Sequence, residues 1–144
     1  MKTKTAKIIN LIVIALIMAF IWSRSIKDIE ASARESGEFM ETVVIPVEKA
    51  VLGREVVSED FIRKCAHVFE FALLGIALAI YTKKLWITLG IGMVTAVIDE
   101  TIQYYVGRGS MVTDVWIDTA GCLLGAAAVL LIIATQKKRK LRNS

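Results

Sequence analysis

Three short segments of this chain place ionisable side chains in otherwise apolar sequence. The first is R-K-C-A-H-V-F-E at residues 63–70, which holds the only histidine of the chain. Carboxylates follow at Asp99 and Glu100, and again at Asp114 and Asp118. A histidine beside carboxylates can transfer protons, and arginine or lysine can hold phosphate or carboxylate. The sequence therefore contains the residue types for acid–base chemistry or for anion recognition.

Three interpretations of these residues compete. As a general acid–base pair, His67 would act with Glu70 or Asp99, although no serine or cysteine nucleophile lies beside them; these three are the catalytic candidates. A metal site at His67 with Glu70, Asp99 or Asp118 is less attractive, because several cations lie nearby and one histidine among carboxylates is a weak signal. We predict no metal and no cofactor. The third interpretation is a buried salt-bridge network that only fixes helix register.

Helical spacing places these residues on one face of each of three helices. Spacings of four, three and four residues run through three sets: Arg63, His67, Glu70 and Leu74; Gly92, Ala96, Asp99 and Gln103; and Asp114, Asp118, Gly121 and Gly125. Residues spaced in this way share one stripe of an α-helix. Gly121 and Gly125 also form a small-xxx-small pattern, which lets a second helix approach closely.

The segments that carry the stripes are apolar enough to cross a membrane. The chain has 144 residues, of which 56% are hydrophobic, and the apolar residues form four blocks. A span needs roughly 20 mostly apolar residues, and in lipid it must be a helix because it has to satisfy its own backbone polar groups. We predict an all-α integral membrane protein with one domain over residues 1–144. Its spans lie at about 6–23, 64–82, 85–106 and 112–134.

The first span is predicted to be retained in the mature protein. A signal peptide needs small residues at its cleavage site, and Trp22 and Arg24 stand where those residues would be.

The segment between the first two spans, residues 24–63, is predicted to be an amphipathic helical segment. Apolar residues recur there near helical spacing with charged residues between them, and we expect the helix to end at Pro46. A second short helix is expected over about 47–52, stopped by Gly53. Ser58 is the predicted N-cap of the next helix.

The ionisable groups of the three stripes are predicted to lie at one depth. The stretches 61–70, 99–106 and 112–118 each measure about 9–14 Å from the same surface at ~1.5 Å per residue. The hairpin G-R-G-S at 107–110 caps the helices at that level and adds Arg108.

The distribution of basic residues predicts the orientation. Residues 1–7, 82–84 and 135–144 hold ten of the 18 basic residues and none of the 14 acids. The positive-inside rule therefore places both termini in the cytoplasm and the segment 24–63 outside. The basic tail is interpreted as an anchor near anionic lipid, and no nucleic-acid partner is predicted.

The two cysteines, Cys65 and Cys122, fit no metal or disulfide spacing. We interpret both as small packing residues, with Cys65 near the outer surface and Cys122 inside the bilayer.

The ordered motifs resemble the VanZ-like family. They are R-K-x-A-H-x-x-E-F-x-x-L-G from Arg63, D-E-x-x-Q from Asp99, G-R at 107–108 and D-x-x-x-D-x-x-G-x-x-x-G from Asp114. The resemblance implies a small bacterial protein of the cytoplasmic membrane with a role at the cell envelope. The family's name-giving member is linked to resistance to teicoplanin, a lipoglycopeptide that binds cell-wall precursors. Asp118 departs from the family pattern, in which asparagine is frequent.

These observations predict a polar pocket that opens outward and recognises an anionic lipid headgroup, an envelope lipid intermediate or a lipoglycopeptide. The pocket residues are expected to be Arg63, Lys64, His67, Glu70, Asp99, Glu100, Gln103, Arg108, Asp114 and Asp118. The alternatives are a membrane enzyme that acts on an envelope lipid through His67 and carboxylates, and a structural or accessory membrane subunit. A transporter is disfavoured because four spans show no internal repeat.

The pocket hypothesis makes a geometric prediction. His67 or Arg63 should lie within hydrogen-bond or single-water reach of Asp99, Glu100 or Asp118. Glu70 should face the same cavity, and Arg108 should cover it from the hairpin.

Overall fold

The fold is a bundle of helices without β-structure in the part of the chain described. The computed structural model describes residues 2–27, 29–54, 56–109 and 111–142, without the side chains of Lys2, Thr3, Ile29, Ala31 and Ser32. Its helices are α1 (Lys2–Ser25), α2 (Ile29–Phe39), a π-helical stretch (Met40–Val44), α3 (Ile45–Leu52), α4 (Glu59–Thr82), α5 (Leu85–Tyr105) and α6 (Val112–Arg142). Ser110 of the predicted hairpin and the last two residues of the basic tail lie outside the described residues.

Four of these helices are long and apolar enough to cross a membrane. They are Lys4–Ser25, Glu59–Thr82, Leu85–Tyr105 and Val112–Arg142. Large apolar side chains stay exposed on their outer faces, for example Trp86 on α5 and Leu124 on α6, as expected where lipid replaces water. The predicted all-helical architecture with four spans is confirmed. The last helix continues beyond residue 134 through the basic tail.

The segment between α1 and α4 is helical, but Pro46 does not end its helix as predicted. Pro46 lies in the first turn of α3, directly after the π-helical stretch Met40–Val44. A proline is tolerated in a first turn, and the wider π turn before it gives the ring room beside the preceding carbonyls. The helix ends after Leu52, where Gly53 takes the left-handed φ of 68°.

Helix α4 begins at Glu59, and Ser58 is its N-cap, as predicted. The Ser58 side-chain oxygen accepts a hydrogen bond of 3.2 Å from the Phe61 backbone N–H. Glu59 and Asp60 follow in the first turn, where carboxylates interact favourably with the helix dipole.

Glycines bring the backbones of α4 and α6 into direct contact. A Cβ at Gly125 would lie 2.0 Å from the Ala72 carbonyl oxygen, and one at Gly121 would lie 2.5 Å from that of Val68. From the other side, a Cβ at Gly75 would lie 2.1 Å from the Cys122 carbonyl oxygen. No residue with a side chain fits at these three positions without separating the helices.

The two cysteines lie in different environments. Cys122 is fully buried, and its side chain fills the space beside Gly92 of α5, in agreement with a packing role. Cys65 is exposed and lines a cavity, so the prediction of a packing role is wrong there. The reason is its phase on α4, which differs from that of the stripe through His67 and Glu70.

Substitution of Gly125 by alanine should destabilise the bundle. The added methyl group forces α4 and α6 apart, and overpacking of this kind costs about 1–3 kcal/mol. Thermal unfolding of the purified protein in detergent micelles should therefore show a lowered Tm.

Gly90→Ala is the matched control for this experiment. Gly90 lies on α5 with no atom within 4 Å of an added Cβ, so alanine should be neutral or raise stability by about 0.5–1 kcal/mol. Equal melting temperatures for the two variants would contradict the close approach of α4 and α6.

Candidate functional site

Four carboxylates lie buried where α1, α4, α5 and α6 meet. We call Glu70, Asp99, Glu100 and Asp118 the carboxylate cluster; none of them is more than 9% exposed. Glu70, Asp99 and Asp118 lie on the stripes that the spacing predicted, and Glu100 follows Asp99 on α5. An ionised side chain inside a membrane span costs several kcal/mol unless it is paired, hydrated or neutralised. The arrangement of partners around the cluster therefore decides what it can do.

His67 faces two members of the cluster. Its Nδ1 atom lies 3.6 Å from Asp118 Oδ1 and 3.8 Å from Asp99 Oδ2, and its side chain is 19% exposed. The predicted proximity of His67 to these aspartates is confirmed. Both separations are too long for a hydrogen bond, so the three side chains face one another without direct bonding.

Asp99 and Glu100 are held by hydrogen-bond donors. Ser25 Oγ donates to Asp99 Oδ1 at 2.5 Å, and Gln103 Nε2 donates to Asp99 Oδ2 at 2.9 Å and to Glu100 Oε1 at 3.1 Å. The Met111 backbone N–H donates to the other oxygen of Glu100 at 3.0 Å. These bonds fix the orientation of both carboxylates.

The Asp118 carboxylate has fewer hydrogen-bond partners in the described part of the chain than those of Asp99 and Glu100. Within the described part of the chain, Asp118 Oδ2 is buried without a hydrogen-bond partner, and so is Asp114 Oδ1. Asp118 is only 1% exposed, whereas Asp114 is half-buried nearer the end of the bundle.

The partner of Glu70 is Arg24, which the sequence analysis did not assign to the site. Arg24 Nε lies 3.0 Å from Glu70 Oε1, and Arg108 Nη1 donates to the Arg24 carbonyl oxygen at 3.2 Å. The sequence of the first span does indicate which face is buried. The buried residues Ile14, Ile21 and Ser25 are seven and four residues apart. That spacing places Ser25 on the stripe that faces the bundle, and Arg24 beside it at the depth of Glu70.

Arg63 and Lys64 line the pocket beside His67 and Asp118, but both pair with Asp60 and not with the carboxylate cluster. Arg63 Nη2 lies 2.7 Å from Asp60 Oδ1, and Lys64 Nζ lies 2.9 Å from Asp60 Oδ2. Asp60 is one turn earlier on the same helix and half exposed, so both cations reach it along the surface of α4. Such exposed pairs contribute little to stability.

Two cavities meet at His67. The larger, of about 490 Å³, is lined by Arg24, Lys27, Arg63 and Arg108 together with apolar side chains that include Phe39, Ile62 and Phe69. The smaller, of about 40 Å³, is lined mainly by polar side chains, which are those of Asp60, Arg63, Lys64, His67, Gln103, Arg108, Asp114 and Asp118. The larger has the size of a small-molecule site, whereas the smaller has room for a water molecule or an ion. We call them the cationic cavity and the small cavity.

The segment after α1 contributes to the cationic cavity through Glu35 on α2. Lys27 forms a hydrogen-bonded ion pair with Glu35, and Arg24 Nη1 lies 3.6 Å from the same carboxylate. The Lys27 hydrogen bond lowers the pKa of Glu35 from its ordinary value. Burial lowers the pKa of Arg108, which nonetheless stays protonated at neutral pH as arginines do. The cavity thus has fixed positive charges and two carboxylates, Glu35 and Glu70, at its wall.

Comparison with known proteins gives one finding. The sequence matches the model of a protein family described as VanZ/LLP1 over residues 10–133, a range that contains every residue of both cavities. No curated protein and no solved structure matches the chain significantly.

Substitution of Arg24 should lower the stability of the protein, because the ion pair with Glu70 is lost. Arg24→Gln leaves a buried carboxylate without its counter-charge, a loss of about 1–3 kcal/mol, nearer the lower limit because the Arg24 side chain is 40% exposed. Thermal unfolding of Arg24→Gln, Glu70→Gln and the double variant measures the coupling.

The double variant should lose less stability than the sum of the two single variants, since it leaves no unpaired charge. Arg34→Gln removes an exposed arginine from α2 and serves as the control. Strictly additive losses would show that Arg24 and Glu70 do not interact.

Proposed function

The chain belongs to the VanZ/LLP1 family, and from this premise we propose that it is a cell-envelope protein that binds an anionic lipid through the cationic cavity. In this proposal the protein lies in the bacterial cytoplasmic membrane with both termini inside. The cationic cavity then opens at the outer face, where lipid-linked intermediates of the envelope are exposed.

The charge of the cavity supports an anionic headgroup. Arg24, Lys27, Arg63 and Arg108 all line it, and guanidinium groups bind phosphate or carboxylate through paired hydrogen bonds. The existing partners of two of these cations, Lys27 and Arg63, are weak competitors, because their pairs with Glu35 and Asp60 are about half exposed. A phosphate that enters the cavity therefore replaces weak internal pairs by stronger ones.

A neighbouring groove explains why the ligand is a lipid and not a soluble anion. A groove of about 390 Å³ runs between α1 and α4, with walls that include Val13, Leu16 and Phe20. It shares Ala66, Phe69 and Glu70 with the cationic cavity, and this shared wall is the observation that carries the proposal.

One acyl or isoprenoid chain can lie in this groove while its headgroup fills the cavity. Because the surrounding bilayer is as apolar as the groove, the chain adds shape selection and little binding energy. Selectivity should then come from the headgroup.

A contribution to glycopeptide resistance is the second element of the proposal. Teicoplanin is a lipoglycopeptide, so it also combines a polar head with a fatty chain. We propose the lipid as the natural occupant, and competition by teicoplanin is an outcome of the binding experiment below.

Loss of two cavity cations should weaken lipid binding. We expect the double variant Lys27→Gln/Arg63→Gln to bind short-chain phosphatidylglycerol at least tenfold more weakly than the unmodified protein. The measurement is native mass spectrometry of the detergent-solubilised chain titrated with this lipid, with phosphatidylcholine of equal chain length as the neutral headgroup.

Arg34→Gln/Arg54→Gln is the matched control, because it removes the same charge from exposed positions outside the cavity. It should change binding less than twofold. Inorganic phosphate should compete only weakly, since it stays in bulk water and is not concentrated beside the cavity in the micelle as the lipid is. Equal affinity for both lipids, or equal losses in both double variants, would overturn the proposal. If the protein binds teicoplanin but does not bind phosphatidylglycerol, the occupant of the cavity is the lipoglycopeptide and not the lipid.

A further inference from the structure

The small cavity, at the meeting point of α4, α5 and α6, has features that lipid binding does not use. We infer that His67, Asp99 and Asp118 bind one divalent transition-metal ion there, Zn²⁺ or Mn²⁺. This inference goes beyond the proposed lipid site and does not depend on it.

The distances between the three side chains suit a shared ion better than direct contact. One ligand atom from each residue lies within 4.8 Å of the others. The His67 Nδ1 atom is 3.6 Å from Asp118 Oδ1 and 3.8 Å from Asp99 Oδ2. Two ligands of a tetrahedral ion at ~2.1 Å are separated by about 3.4 Å, so both distances from His67 need to change by only a few tenths of an ångström.

The second observation is the unsatisfied carboxylate of Asp118. The residue is 1% exposed, and its Oδ2 atom has no hydrogen-bond partner among the described residues. Asp114 lines the same cavity, and its Oδ1 atom is also buried without a hydrogen-bond partner among the described residues. Leaving such oxygens unpaired in a buried site is unfavourable, and a bound cation would offset that cost. The volume of about 40 Å³ has room for an ion with a water ligand.

Three cations, Arg63, Lys64 and Arg108, line the small cavity. Arg63 and Lys64 both pair with Asp60, a carboxylate outside the ligand set. With a neutral imidazole, the carboxylates of Asp99, Asp114 and Asp118 carry three negative charges, which Arg108 and a divalent ion together balance.

The ligand set also selects the kind of ion. One imidazole nitrogen with carboxylate oxygens suits Zn²⁺ or Mn²⁺, whereas Mg²⁺ prefers an all-oxygen shell and Cu⁺ prefers sulfur. Asp99 has the supporting bonds that ligating carboxylates usually have, because Ser25 and Gln103 donate to its two oxygens.

The experiment uses the full chain, purified in detergent and stripped with a chelator. Titration with Mn²⁺, followed by electron paramagnetic resonance, should show one tightly bound ion per chain. Pulsed measurements should show the coupling of a directly bonded imidazole nitrogen, and Zn²⁺ should displace the ion.

The variants assign the ligands. His67→Gln should abolish the nitrogen coupling and weaken Mn²⁺ binding at least tenfold, and Asp118→Asn should weaken binding to a similar degree. Glu41→Gln removes an exposed carboxylate elsewhere and should change nothing. The nitrogen signal of the unmodified protein does not depend on any variant folding.

Failure to bind Mn²⁺ or Zn²⁺, or binding that is unchanged in both ligand variants, would overturn the inference. Lipid titration of the same chelated protein keeps the two proposals apart. Lipid binding without metal binding would overturn the metal site alone, and metal binding without lipid binding would overturn the lipid site alone.

Discussion

The close contact between α4 and α6 determines where the functional groups of this protein lie. Gly75, Gly121 and Gly125 let the two backbones touch, at distances that a single methyl group would violate. This contact sets the register that places His67 of α4 opposite Asp118 of α6. A wider separation would leave Asp118 facing a gap or lipid, at a cost of several kcal/mol for the ionised carboxylate.

The charges of the site are sorted by depth. The carboxylate cluster lies deep, where the four spans meet, while the cations surround the wider cationic cavity above it. Arg24 connects the two levels because it pairs with Glu70 below and with Glu35 beside the cavity. Such an arrangement favours an anion in the cationic cavity, whereas the small cavity has both carboxylates and cations at its wall. His67 lines both spaces, so occupants of the two would be neighbours.

The sequence predicted the helices and their buried faces more reliably than it predicted the partners of each charge. The spacing of four, three and four residues correctly placed Glu70, Asp99 and Asp118 on buried stripes, because helical periodicity fixes the direction of each side chain. Spacing does not say how far a long flexible side chain reaches. Arg63 has the phase of His67, yet it turns back to Asp60 because an exposed partner one turn away requires no desolvation.

The same limit explains the missed residues of α1. The sequence analysis assigned no residue of the first span to the site, since its apolar block holds no acid and Arg24 stands at its end. Its role depends on contact with α4 and α5, which local sequence does not specify. Pro46 was misjudged for a related reason, because the helix rule for proline applies to the interior and the chain uses a π turn to place it in a first turn.

The most direct test of this account is an experimental structure of the protein in native lipid, for example by electron cryomicroscopy of a rigid complex in nanodiscs. We expect phosphate density against Arg24 and Arg108 in the cationic cavity, with an acyl or isoprenoid chain that continues into the groove between α1 and α4. His67 should face Asp99 and Asp118 beneath it. A cationic cavity that holds only water while ordered lipids bind elsewhere, or a His67 side chain that faces the bilayer, would contradict it.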